Sequence, residues 1–158
     1  MKVILATGLA AAVMTTASHA AERSTNPSSG TGECLGAMGA VLRKGGFTRS
    51  LNCKRDTLTI HRVGVIKIGG HQYGVYKYEY STPPVCPGCA EHGGRVIVIT
   101  RDGVYLGSYH SLDGELLVSD TSIIVISDNG DAVGVIQFTS SGPPKVVHYD
   151  GYLHELSK

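Results

Sequence analysis

Two hydrophobic periods divide the chain. Between Cys34 and Lys44 the residues Leu35, Met38 and Leu42 fall at i, i+3 and i+7, one stripe of an α-helix. Arg43-Lys44 followed by Gly45-Gly46 supplies the basic last turn and the glycine that suit a helix C-terminus. Gly36 and Gly39 each weaken such a helix by about 1 kcal/mol relative to alanine, so it depends on tertiary packing. From Asp56 onward the period is two. β-Branched and aromatic runs are expected as strands over Thr57–Ile68, His71–Tyr80, Arg95–Thr100, Val104–Tyr109, Glu115–Val118, Ile123–Ser127, Ala132–Thr139, Lys145–Tyr149 and Tyr152–Leu156. Turn signals separate many of them at Gly69-Gly70, Asp102-Gly103, Asp113-Gly114, Asn129-Gly130 and Asp150-Gly151.

Short strands closed by tight turns predict a mainly β fold. The expectation is an antiparallel meander forming a sandwich or partly closed barrel, with one short N-terminal helix, as a single β-rich domain over 34–158. Val96–Ile99 and Ile123–Ile126 are apolar on both faces, which predicts strands covered on both sides. Val75–Tyr80 alternates cleanly and is expected to be half exposed.

The first residues read as an address. Lys2 gives a positive start, Val3–Val13 an apolar stretch too short to span a bilayer, and Ser18-His19-Ala20 a small-x-small cleavage site. Residues 1–20 are therefore expected to be an export signal, leaving a periplasmic or secreted product with no transmembrane segment after cleavage. Residues 21–33, AERSTNPSSGTGE, are small and polar and read as a disordered leader.

After removal of residues 1–20, 13 basic side chains face 13 acidic ones, a balance that argues against a nucleic-acid partner. Residues 21–80 hold nine Lys or Arg against four acids, and 81–158 hold four against nine, a split that suits two halves packed against each other.

Four cysteines in an exported chain point to two disulfides, and Cys34–Cys53 with Cys86–Cys89 is the favoured pairing among three. The Cys86-Pro87-Gly88-Cys89 segment has three readings. Proline and then glycine between the cysteines set a type II turn that closes a structural bridge. The motif also resembles the thioredoxin-type Cys-Gly-Pro-Cys with its middle residues exchanged, but Ala90–Gly94 leads into a strand rather than an activating helix. Cys86, Cys89 and His92 resemble a zinc knuckle, with no second Cys-x-x-Cys pair to complete it. The structural bridge is the expectation, with no cofactor or metal implied.

Fourteen residues, Ser81–Gly94, separate two expected strands. Pro83, Pro84, Pro87 and a disulfide restrict this loop, so it would present Glu91 and His92 with little entropy left to lose on binding. Tyr76, Tyr78 and Tyr80 share one face of the preceding strand, and Tyr105 and Tyr109 are expected together on one face of a later one. Tyrosine is a favoured interface anchor and an ordinary packing residue alike. His61, His71, His92, His110, His148 and His154 are scattered over several strands with no metal-site spacing, though His148 and His154 flank one turn. No nucleophile elbow, zincin helix, phosphate-binding glycine loop or complete calcium loop occurs, and Asp128–Asp131 fits a hairpin turn.

Two function classes follow. The first is an exported non-enzymatic binding protein, such as an inhibitor or immunity protein that blocks a cell-envelope hydrolase or secreted toxin. Its contacts would come from Pro83, Pro84, Glu91 and His92 with Tyr76, Tyr78 and Tyr80. The second is a periplasmic thiol-disulfide or metal-handling protein centred on the Cys-Pro-Gly-Cys loop.

Overall fold

A computed structural model describes residues 33–110 and 114–158; the expected signal, the leader through residue 32 and Asp113 lie outside the described residues. The described residues begin with a 3-10 turn, Glu33–Leu35, and continue as helix α1, Gly36–Lys44. Leu42 is fully buried, as the i, i+3, i+7 stripe requires, whereas Met38 is only partly covered. The helix ends with Gly45 still in the right-handed region and Gly46 at φ +83°. The left-handed residue is thus the second glycine, and it turns Phe47 back so that its N–H reaches Leu42 O at 3.0 Å.

Four antiparallel strands follow in sequence order: β1 Thr57–Ile68, β2 His71–Thr82, β3 His92–Arg101 and β4 Val104–His110. A second sheet is built from β5 Glu115–Val118, β6 Ser122–Ile126 and β7 Ala132–Gln137, and a last hairpin from β8 Val146–Tyr149 and β9 Tyr152–Glu155. All the ladders are antiparallel, and the described residues form no closed barrel; the arrangement is sandwich-like. At the seams between the ladders, glycines let the neighbours approach. Gly64 of β1 lies under Val118, Gly134 of β7 under Tyr149, and Gly107 of β4 under Leu156, and a Cβ at any of them would collide with that side chain. Ser108 and Ser157 exchange backbone hydrogen bonds of 2.7 and 3.0 Å, tying the C-terminal segment to β4.

The first sheet is the middle layer. One face packs Ile66, Tyr73, Val75, Ile97, Ile99 and Tyr109 against Leu116, Ile123, Val125, Ile136, Phe138, Val147 and Tyr149 of the later strands. Its other face packs Tyr78, Val96, Val98 and Tyr105 against Leu35, Leu42 and Phe47. Phe47 stands edge-on to Tyr78 and Tyr105, with ring centroids 5.0 and 5.5 Å away. Val96–Thr100 are accordingly buried without a break, as the two-sided apolar pattern predicts.

Three expectations change. Strand β2 does not alternate, because both faces of its middle are covered: Val75 is buried on one and Tyr78 on the other. In β6 only Ile123 and Val125 are fully buried, while Ile124 and Ile126 remain partly exposed on the outer face. Tyr105 and Tyr109 lie on opposite faces, since the ladder shifts at Ile99/Thr100 and sets Tyr105 opposite Thr100 but Tyr109 opposite Ile97. One extra residue in a strand inverts the parity of everything beyond it.

Candidate functional site

The chemistry gathers where β2 and β3 meet. Their ladder runs three rungs further than the apolar alternation indicates, Tyr80 pairing with Gly94, Ser81 with Gly93 and Thr82 with His92, so the connection is the nine residues 83–91 and His92 begins β3. Both stems are pinned. The Ser81 hydroxyl donates to the Glu91 carboxylate across the loop base, and Thr82 hydrogen-bonds to Asp56. Within the loop Gly88 has φ +82° and the Cys89 N–H reaches Cys86 O at 3.1 Å, the type II turn that Pro87-Gly88 predicts. The turn is closed by the Cys86–Cys89 disulfide.

Little of this loop touches the body of the protein. Pro83, Pro84, Val85, Cys86, Pro87, Gly88, Glu91 and His92 are all exposed, and Val85 at 89% is the most exposed of the large apolar side chains. The tyrosines of the same hairpin are placed differently. Tyr78 is fully buried with its hydroxyl donating to Ser50 O, and burial pushes its phenol well above the usual value. Tyr76 and Tyr80 are half-buried against the same cluster under α1. Of the seven expected contact residues, four lie on the displayed surface and Tyr80 at its margin, whereas Tyr76 leans over Gly74 away from the loop and Tyr78 is a core residue under Phe47 and the Leu42 cluster.

The second bridge, Cys34–Cys53, joins the start of the helical segment to the turn ahead of β1. Cys34 packs on the Leu42 and Tyr78 cluster. Nearby, the buried Asp56 accepts from Arg55 Nε at 2.8 Å and from the Ser50 hydroxyl. The Arg55 guanidinium, against the opposing effect of burial, holds its carboxyl down at about 2.

On the sandwich face of the hairpin end lies an open cleft of about 570 Å³. Two register rows floor it, Thr59-Glu79-Arg95 and Thr57-Ser81-Gly93, with His110 at the side. Glu79 accepts from Arg95 Nε at 2.7 Å and lies 3.3 Å from Lys77 Nζ, which also donates to Gly114 O at 2.8 Å. Burial alone would raise its pKa, but the two cations outweigh it and hold the carboxyl below the usual range. An acid kept ionised in this way is an acceptor and a poor proton donor near neutrality. Sequence patterning misses this cleft because Glu79 and Arg95, though inside the expected strands, are set opposite each other and beside Thr59 by a register that apolar alternation does not fix.

The histidines do not converge. His71 Nδ1 meets Asp102 Oδ2 at 2.7 Å at the opposite end of the sheet, both side chains exposed. His154 is buried, stacked 3.8 Å from Tyr149 and 6.1 Å from His110 by ring centroids, and burial lowers its pKa. His148 pairs with Leu153 and stays exposed, so it does not face His154. Among the described residues no three His, Cys, Asp or Glu side chains are grouped to hold a metal, and no helix is long and apolar enough to cross a membrane. Two disulfides fit a compartment outside the cytoplasm.

No protein-family model matches the chain, and no curated protein or solved structure matches it significantly.

Proposed function

We propose that this chain is an exported, non-enzymatic binding protein that inserts the 83–91 loop into a cleft of a protein partner, in the manner of an inhibitor or immunity protein acting on an exported hydrolase or toxin. One observation carries the reading: an apolar loop tip, with Val85 89% exposed, is held by a disulfide, a type II turn and hydrogen bonds at both stems. Val85 with Pro83, Pro84 and Pro87 offers apolar surface that a partner can cover, and bracing it in advance removes much of the ordering cost of binding. Glu91 and His92 at the loop base add polar contacts around the apolar tip, the usual distribution of an interface. The half-buried Tyr80, whose ring lies over Gly94, extends that rim.

The test is capture from cell-envelope extract. The wild-type chain retains one protein at stoichiometric yield, and Glu91→Ala with His92→Ala, or Val85→Asp, releases it without lowering the melting temperature. Retention that is indifferent to these changes, or recovery of background alone, sinks the proposal.

A further inference from the structure

We infer that the Cys86–Cys89 bridge is a site of reversible thiol–disulfide exchange with an external dithiol, and that Cys34–Cys53 is not. Three observations support the division. Cys86 lies exposed at the loop tip and Cys89 is only half-buried, so a thiolate can reach the Cys86 sulfur directly. By contrast Cys34 and Cys53 are both half-buried, Cys34 packs against the apolar cluster under α1, and the Cys53 sulfur accepts from the Cys34 N–H at 3.3 Å, so neither sulfur stands on a fully exposed residue as that of Cys86 does. Access is one of the terms that set exchange rate, and exposed bridges are the labile ones.

The second observation is that the stems of the loop have contacts of their own, so opening the bridge is expected to leave the fold in place. Both ends of the loop are fixed independently of sulfur, by the Ser81–Gly93 and Thr82–His92 rungs and by the hydrogen bonds of Ser81 with Glu91 and of Thr82 with Asp56. The third is that the dithiol form stays poised to close again. The Cys89 N–H to Cys86 O hydrogen bond and the Pro87-Gly88 turn hold the two residues adjacent whether or not the sulfurs are joined.

The exchange balances without any other reactant. A thiolate of the external dithiol bonds to the Cys86 sulfur; the Cys86–Cys89 bond breaks and Cys89 leaves as a thiolate that takes up a proton. The second thiol of the reductant, deprotonated, then attacks its own sulfur in the mixed disulfide and frees Cys86, which is protonated in turn. Two electrons and two protons pass to the chain, and the reductant becomes a disulfide. Where the loop is the contact surface proposed above, this reaction loosens it and weakens docking; the chemistry itself does not rest on that reading.

Dithiothreitol serves as the probe. The oxidised full chain is exposed to it under native conditions, quenched with iodoacetamide at intervals and mapped by peptide mass. Cys86 and Cys89 become alkylated at least about tenfold faster than Cys34 and Cys53, while the near-ultraviolet dichroism of the buried tyrosines is unchanged. Removal of the reductant and addition of oxidised glutathione restores the bridge, more slowly in Pro87→Ala. Opening of both bridges together, opening of Cys34–Cys53 first, or alkylation of Cys86 and Cys89 only as the dichroism collapses would overturn the assignment. So would a reoxidation rate that Pro87→Ala leaves unaltered. A partner lost on capture by reduced chain and regained after reoxidation extends the result to binding. Selective opening with capture unchanged keeps the exchange site and removes its link to docking.

Discussion

The two disulfides of this protein join the same atoms in opposite surroundings. Cys34–Cys53 spans a sequence separation of 19 and closes over Leu42, Phe47 and Tyr78, whereas Cys86–Cys89 spans 3 and closes over nothing. Around the first, apolar burial, the Phe47 edge contacts and the Asp56 hydrogen bonds all hold the helical segment to the sheet. At the second, the bond shapes a surface that the rest of the molecule does not need. A covalent link therefore reports its role through what packs around it. One region is a clasp that contributes stability; the other is a display that spends little of it.

The contrast breaks most sharply at Leu42. Truncating this fully buried side chain, Leu42→Ala, is expected to cost about 2–5 kcal/mol in denaturant unfolding, from lost transfer energy and the cavity left behind. A loss under about 1 kcal/mol would mean that the helix is not part of the folding core. Removing the bridges comes next. On chain-entropy grounds Cys34→Ala with Cys53→Ala costs about 3 kcal/mol, and Cys86→Ala with Cys89→Ala at most about 2 kcal/mol. Equal losses in the two double variants would erase the distinction.

Acid provides a third probe of the clasp. Asp56 titrates at about 2 in the folded chain, below its ordinary value of 3.8, so its contribution is complete above about pH 4 and is lost as pH falls through 2. With Arg55 62% exposed and screened, that contribution is about 1–2 kcal/mol. Unfolding free energies measured from pH 5 to 2 should show this loss in the wild type, and Asp56→Asn should flatten it. A slope unchanged by Asp56→Asn would show that other carboxylates carry the acid sensitivity.

Much of the clasp and display could be read in the chain. Thr57–Ile68 is a strand with the expected bounds, and both disulfides form as paired by compartment and proximity. The Pro87-Gly88 turn follows from the φ angles those two residues favour. Other features depended on register, which local patterns do not encode. The shift at Ile99/Thr100 separated Tyr105 from Tyr109, three extra rungs moved His92 out of the loop, and the β2–β3 register set Glu79 opposite Arg95. The burial of Tyr78 needed the helix to lie on its face, a tertiary choice; a strand with tyrosines on alternate residues reads the same whether that face is covered by α1 or by another protein. Val85 has no signature in the sequence because one valine among prolines carries no periodicity, yet among the described residues it is the most exposed large apolar side chain.

The smallest expected effect on stability is at the loop itself, and it is also the most direct test. Val85→Asp should leave the unfolding free energy within about 0.5 kcal/mol of wild type, since the side chain is 89% exposed. The decisive measurement pairs that value with capture of an envelope protein by the same two chains. The display account predicts equal stability and loss of the captured protein in Val85→Asp. Equal stability with undiminished capture would contradict it, and so would a large loss of stability, which would make residues 83–91 part of the fold rather than a surface carried by it.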